Sequence, residues 1–379
     1  MSSSRAFLQM REVTVEAVET KAGLRAFLRF PERLYRYDPL WVAPLLRDQR
    51  ALLSPTNPFF AHAEARLFLA RRGREIVGRV AAIVDQLQIE RWGERAGFFG
   101  FFESLPEKEV VSALLEAARA WLHGMGMTVI RGPVSLSTNH ECGLLVEGFG
   151  QPPRLLMPYN PPYYASLLEG VGFIGVKDLL SYDLDLSQAL PERLSVLART
   201  AEVKGVRVRG FNLKALREEA QVMRALYNSS WQQNWGFVPM SEAEAAFMAA
   251  RLRPLLASEL ALVAEWRALP VGFALSLPDY NPALRLLRGR TTPWGMLRFL
   301  WQRRSLNEMR VLALGILPGY RRRGIDALLI RETVEGGRQR GYRRAELSWI
   351  LEENTVMRRT VEQLGGKVAK RYRLYEASL

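Results

Sequence analysis

Cysteine and histidine are scarce in this sequence, and that scarcity removes several chemistries at once. A single cysteine, Cys142, excludes an intramolecular disulfide. With only three histidines beside it there is little from which to build a zinc site, so no metal is expected, although carboxylates alone can hold Mg²⁺. Long apolar runs are missing too. None approaches the roughly 18 residues that a membrane-spanning helix needs. The opening stretch MSSSRAFLQMREVTVEAVET lacks an apolar core followed by a small-residue cleavage site, so it does not read as a signal peptide and the expected compartment is the cytoplasm. Lysine is rare: seven residues, against 53 basic residues in all, so arginine supplies nearly all of the +14 net charge. That excess suits a polyanionic small ligand, an anionic membrane surface touched peripherally, or nucleic acid, with genomic composition or thermal adaptation as the bland alternative. Nucleic acid ranks last. The arginines are scattered, and there is no RNP-type strand, zinc finger or basic heptad.

What is present is enough for two ordinary domains. The chain has 379 residues, 48% hydrophobic and 24% charged, the proportions of a globular protein. Alternating apolar residues predict strands over 13–18, a hairpin over 64–70 and 75–84 turning at Arg71–Arg74, and strands over 97–103, 128–131 and 180–184. Between them, Val110, Val111, Leu114, Leu115, Ala118 and Leu122 recur at helical spacing, and a second helix opens near Tyr163 and closes at Gly170. The second half repeats the order: a strand over 206–211, helices over 213–231 and 241–256, a hairpin over 260–266 and 271–277, a strand over 311–317, a helix over 325–340, a strand over 344–350, a helix over 355–364 and a strand over 371–376. Ser241-Glu242-Ala243-Glu244 is a capping-box pattern. The two halves also end alike, in YNPPYYASLLEGVGF and ENTVMRRTVEQLGG. A repeat of this size indicates two like domains of α/β class, each a mixed sheet flanked by helices, over 1–190 and 191–379 with a linker around 185–194.

The most informative stretch is Val311 to Leu328, VLALGILPGYRRRGIDAL: an apolar strand, a Pro-Gly turn, three arginines, a glycine, then a helix. A strand that feeds a basic, glycine-bearing turn opening a helix suits phosphate, because the first helical amides are unpaired and the helix dipole favours an anion there. The run Arg321-Arg322-Arg323-Gly324-Ile325-Asp326 resembles the acyl-CoA-binding motif Q/R-x-x-G-x-G/A of the GCN5-related N-acetyltransferase (GNAT) superfamily, at five of six positions.

The resemblance covers nearly all of 206–379 and implies roles residue by residue. Leu314, Gly315 and Ile316 stand where the family's splayed fourth strand offers backbone groups to the pantetheine arm. Arg321, Arg322, Arg323 and Gly324, with the amides of Ile325 and Asp326, stand where the pyrophosphate is cradled. Asn354 matches the asparagine near the thiol end of CoA. Two positions depart from the pattern. Asp326 replaces Gly or Ala, and a carboxylate at 4 Å from a phosphate costs about 1 kcal/mol even in water; alone, it suits the helix dipole. Val361 stands where the family has its tyrosine general acid, so Tyr372 or Tyr375 would have to supply one, or the thiolate is protonated by solvent. Glu346, then Glu308, is the carboxylate placed to act as general base, with a surface ion pair as the plainer alternative.

In the first half no such motif follows GFFGFFE; the chain runs Ser104-Leu105-Pro106-Glu107 instead. This half is expected to be a degenerate copy without a phosphate cradle. Its polar stretch 131–149 brings together Asn139, His140, Glu141 and Cys142, candidates for acceptor binding, for an acid/base pair and for a nucleophile, or simply a turn bonded to its own backbone. The aromatic segments WQQNWGF, with Trp231 and Trp235, and YRYDPLW are candidates to line an acceptor pocket, or are packing. The resemblance implies a tandem GNAT N-acyltransferase that passes an acyl group from acetyl-CoA or a longer acyl-CoA to a small-molecule or lipid amine by direct attack. The alternatives are a non-catalytic CoA- or ligand-binding module and an aminoacyl-tRNA-dependent transferase. The sequence does not determine the oligomeric state.

Overall fold

The computed structural model describes residues 12–379, so the first half of the opening stretch read above lies outside it. The chain forms two compact units. Among the described residues the first comprises 12–178, Arg288–Thr291 and Tyr372–Leu379, and the second Leu179–Leu287 and Thr292–Arg371. A single cut in the sequence does not separate them.

In the first unit β1 (Val13–Ala17), β2 (Ala63–Arg72), β3 (Glu75–Asp85), β4 (Ala96–Ser104) and β5 (Val129–Gly132) are neighbours in that order. β1 to β4 are antiparallel, and β4 and β5 run parallel. The helices are α1 (Lys21–Leu34), α2 (Leu46–Leu52), α3 (Gln86–Trp92), α4 (Lys108–Gly124) and α5 (Tyr164–Gly170), and β6 (Leu144–Glu147) lies in the stretch read as a polar loop. α1 begins at Thr20, whose hydroxyl accepts from the Gly23 amide at 3.0 Å, and it ends just before the aromatic segment YRYDPLW. α4 buries all six residues of its predicted apolar face against β3 and β2. Each of its buried valines and leucines contributes about 1.5–3 kcal/mol of transfer free energy.

The second unit takes residues 179–185 of β7 (Ile174–Asp185), a strand more than twice as long as the one predicted. It adds β8 (Val206–Gly210), β9 (Ala261–Trp266), β10 (Leu269–Pro278), β11 (Glu308–Ile316) and β12 (Arg344–Leu351), in the order β7-β12-β11-β10-β9-β8. Its helices are α6 (Glu192–Val203), α7 (Leu216–Trp231), α8 (Glu242–Leu252), α9 (Asn281–Leu284), α10 (Pro293–Gln302), α11 (Ile325–Gln339) and α12 (Thr355–Gln363), and β13 (Lys367–Ser378) closes the chain. The capping box at Ser241 and Glu244 is formed, with 3.2 and 2.9 Å bonds. Residues 192–194 of the expected linker instead begin α6, whose Leu194, Ala198 and Ala201 are buried in the core beneath α11.

The closing strands are exchanged. β7, from the first half of the sequence, pairs antiparallel with β12 in the second unit. The end of β13, from the second half, pairs Tyr375–Ser378 with Gly132–Val129 in the first unit. Periodicity locates both strands but cannot say which sheet each completes, since any apolar strand of matching length satisfies the edge. Among the described residues no helix is long and apolar enough to cross a membrane, and no group of three or more His, Cys, Asp or Glu residues is placed to hold a metal.

Candidate active site

β11 and β12 separate part-way along. They pair from Glu308↔Arg344 to Val311↔Leu347, and the ladder stops there. β11 continues against β10 on its other side, with Ala274↔Leu314, Phe273↔Gly315 and Gly272↔Ile316. The β12 side of residues 312–316 is left as a wedge lined by backbone groups. Gly315 is small for a reason: a Cβ there would stand 2.5 Å from the Phe273 ring and 3.0 Å from Ser230 on α7. Trp231, the last residue of α7, donates its indole N–H to the Leu314 carbonyl at 3.3 Å. It also packs at 4.9 Å on Tyr227, which in turn meets Phe237 at 5.6 Å. Trp235 lies in the loop between them, which Asn228 fastens through both the amide and the carbonyl of Met240.

The wedge leads into the basic turn. Pro318–Tyr320 form one 3₁₀ turn, Arg322 has φ +60° and Gly324 has φ +80°. Gly324 is the N-cap of α11, and no side chain caps this helix, so its first amides face outward. The three arginines divide their work. Arg321 donates to the carbonyls of Ile316 (3.3 Å) and Ser230 (2.8 Å), tying the turn to the end of α7. Arg323 lies over the rings of Trp266 and Tyr320 at 5.7 and 5.4 Å. Arg322 is exposed. Arg321 and Arg323 are thus engaged by the protein itself. Ile325 is buried, and Asp326 is exposed in the first turn of α11, where it complements the helix dipole.

At the vertex of the wedge sits a buried polar cluster that includes Glu346. Its carboxylate pairs with the Lys370 ammonium at 3.4 Å, and the two side chains are 3% and 1% exposed. Arg310, the register neighbour of Glu346, donates from Nε to Ser348 Oγ (2.9 Å) and from Nη2 to the Ser348 carbonyl (3.2 Å). The plainer expectation of a surface ion pair fails for Glu346. Lys370 and Arg310 were missed in the sequence: Arg310, the single cation of the largely apolar β11, was an available signal, whereas Lys370 stands among the other charged residues of β13 and gave none. Glu308 begins β11 at the end away from the wedge.

Asn354 caps α12, accepting from the Met357 amide at 3.1 Å. Val361 is buried on Leu180 and Tyr182. Tyr182, another residue that sequence reasoning missed, brings a hydroxyl beside α12. That hydroxyl accepts from Arg358 at 3.1 Å and donates to Glu362 at 2.9 Å, with burial the main cause of its raised pKa. Tyr372 is fully buried on β13, in the segment that belongs to the first unit. Tyr375, in the same segment, donates to Glu169 at 3.1 Å.

The first unit contains a matching divergence of strands, filled by its own chain. β4 and β5 pair only from Ala96↔Val129 to Phe98↔Arg131. Beyond that point the Val134 amide donates to the Phe99 carbonyl at 2.7 Å, and Ser135 Oγ accepts from the Phe101 amide at 3.2 Å. Gly100 makes room for this approach, since a Cβ there would stand 2.0 Å from the Val134 carbonyl. The Ser135 amide is held by the Glu141 carbonyl at 2.8 Å. Around the same turn the Asn139 amide donates to Ser137 Oγ (3.2 Å), and His140 Nδ1 lies 3.0 Å from that oxygen. Cys142 is buried and bridged to Val134. The structure thus gathers Asn139, His140 and Glu141 in one unit and Trp231, Leu314, Gly315, Ile316 and the basic turn in the other.

Comparison with known proteins agrees with this geometry. Residues 220–365 match the model of the acetyltransferase (GNAT) family. Protein YghO of Escherichia coli K12 is 37% identical over 370 residues, covering 95% of this chain and 94% of its own. The bacterial ceramide synthase of Caulobacter vibrioides is 34% identical over 376 residues, covering 97% and 98%. Among solved structures, a tandem GNAT protein from the clavulanic acid biosynthesis pathway has a TM-score of 0.58 at 13% identity over 97% of this chain and 98% of its own. A GCN5-related N-acetyltransferase from Sphaerobacter thermophilus has a TM-score of 0.53 at 16% identity over 97% and 95%. These two speak for the fold alone. With relatives this similar along their whole length, the chain belongs to the GNAT acyltransferases, as a tandem member.

Proposed function

We propose that the protein transfers an acyl group from acyl-CoA to the primary amine of a lipid acceptor. The observation that carries the reading is the continuity of the second unit's wedge, residues 312–316, with the uncapped, glycine-bearing turn 321–326. A pantetheine arm laid along the open edge of β11 finds backbone donors and acceptors, and its diphosphate finds the amides of α11. The 34% identity to a protein named for ceramide synthesis, over nearly all of this chain, supports a long-chain amino alcohol as acceptor, since a ceramide is the amide of one.

In this reading the amine nitrogen attacks the thioester carbonyl carbon, and a backbone N–H on the open edge of β11 stabilises the oxyanion. The nitrogen–carbon bond forms, the carbon–sulfur bond breaks, and the nitrogen gives its proton to the Glu346 carboxylate, which Lys370 holds in place. The departing thiolate takes a proton from water. Asn354 orders the chain near the thiol end. Trp231 and Trp235 contribute aromatic surface for an apolar acceptor, and Asn139, His140 and Glu141 remain acceptor-binding candidates of the first unit.

The test pairs acyl-CoAs of increasing chain length with a long-chain amino alcohol and with short amines, following thiol release and product mass. Faster turnover of the long-chain amine is expected. Acyl-CoA binding by calorimetry without turnover of any amine would support the non-catalytic module instead, and no binding at all would sink both readings.

A further inference from the structure

The helix α10 is turned inside out. Its inner side carries the buried Gly295, with Phe299 stacked on Tyr280 at 6.0 Å. Its outer side carries Trp294 (78% exposed), Leu297 (58%), Leu300 (41%) and Trp301 (73%). Residues 294, 297 and 301 follow the spacing of one helix face, so the two tryptophans flank a leucine along about 10 Å of axis. Leu286, on the turn packed beside α10, is exposed as well. Isolated exposed apolar residues are ordinary, but four on one short helix form a patch that calls for a partner.

The charge around the patch says which partner. Between Asp279 and Glu308 the sequence has six arginines and no carboxylate side chain. Arg298, on α10 itself, and Arg303 and Arg304, just past its end, are exposed. A second copy of this chain is a poor fit, because a two-fold contact would set the same arginines against each other in a protein of net charge +14. An apolar face with tryptophans at its ends and arginines at its border suits an anionic bilayer. The indoles sit at headgroup level, the leucines reach the acyl chains, and the guanidiniums meet phosphates.

We infer that α10 is an interfacial anchor that docks the protein on anionic phospholipid. The anchor does not depend on the reaction proposed above, although a bilayer at α10 would lie against the unit that carries the β11 wedge. The helix has only two tryptophans and two leucines to insert, so binding is reversible and needs both apolar contact and charge.

The experiment is flotation of the full-length protein with vesicles of equal parts phosphatidylcholine and phosphatidylglycerol, and with vesicles of phosphatidylcholine alone. The protein floats with the anionic vesicles, and its tryptophan emission shifts to shorter wavelength. Trp294→Ala/Trp301→Ala lowers the partition coefficient at least about tenfold. Arg298→Gln/Arg303→Gln/Arg304→Gln lowers it about a hundredfold on anionic vesicles, at about fivefold per charge, and leaves phosphatidylcholine unaffected. Circular dichroism of both variants matches the parent, since every substituted side chain is exposed. Equal flotation with both vesicle types, or retention of binding in both variants, overturns the proposal. So does a dimer by light scattering that Trp294→Ala/Trp301→Ala converts to monomer with no vesicle binding by the parent, which would assign the face to a second copy.

Discussion

A Cβ on Gly324 would stand 2.4 Å from the Leu197 carbonyl oxygen, so the cradle of α11 rests directly on the backbone of α6. The glycine is demanded twice, by this approach and by its φ of +80°. Gly324→Ala is expected to cost about 1–3 kcal/mol from the backbone conformation alone. It should also move the α11 amides enough to weaken acyl-CoA binding at least tenfold. Thermal unfolding and calorimetry with acetyl-CoA measure the two effects, and a variant that keeps parental affinity would show that the turn does not bind phosphate.

Glu346→Gln should lower turnover about 10²- to 10⁴-fold with the KM for acyl-CoA little changed, the range expected for loss of a general base. It also strands the buried Lys370 ammonium, at a cost of about 3–5 kcal/mol. Glu346→Gln/Lys370→Met removes both charges and is expected to regain stability without activity. Recovery of activity along with stability would make Glu346 a structural residue only.

Asp326 stands in the first turn of α11, exposed, where a diphosphate is expected. Asp326→Gly should tighten acyl-CoA binding about fivefold, from about 1 kcal/mol of relieved repulsion. The same change should cost about 0.3–1 kcal/mol of stability through the helix dipole. Unchanged affinity by calorimetry would mean that the carboxylate points away from the ligand.

The first unit should bind no acyl-CoA. Its strand divergence is taken by Val134 and Ser135, which already bond the Phe99 carbonyl and the Phe101 amide. Calorimetry is expected to give one acyl-CoA per chain. Two equivalents would show that this segment yields to the ligand.

α6 is pinned to α11 by Glu202, which accepts from Arg331 at 3.1 and 2.6 Å. That hydrogen bond is the main cause of the lowered pKa of the Glu202 carboxyl. A carboxyl whose pKa falls on folding stabilises the fold above its unfolded pKa, and the contribution disappears as pH drops through the folded one. Glu202→Gln should therefore cost stability at neutral pH and little below the ordinary carboxylate range. Solvent screens this partly exposed pair, so about 0.5 kcal/mol is expected. Denaturant unfolding at neutral and at acidic pH measures the difference, and a penalty that persists in acid would rule out the ion pair as its origin.

What the sequence determined by itself was local. The strand, basic turn and helix of 308–339 are legible because a turn of this kind is built from consecutive backbone amides and a left-handed glycine. The capping box at Ser241 and the apolar face of α4 follow from side chains three or four residues apart. Both concern groups that meet whatever the rest of the chain does.

Only the tertiary structure decided which distant groups meet. Lys370 becomes the partner of Glu346, the closing strands change sheets, and residues 134–135 fill one strand divergence while the other stays open. It also decided that α6 begins inside the expected linker and that the tryptophans of α10 face outward. An amphipathic helix shows its two faces in sequence, but not which of them the core covers. That is settled by which apolar surfaces can close against each other, and burial is a property of the assembled surfaces rather than of the segment.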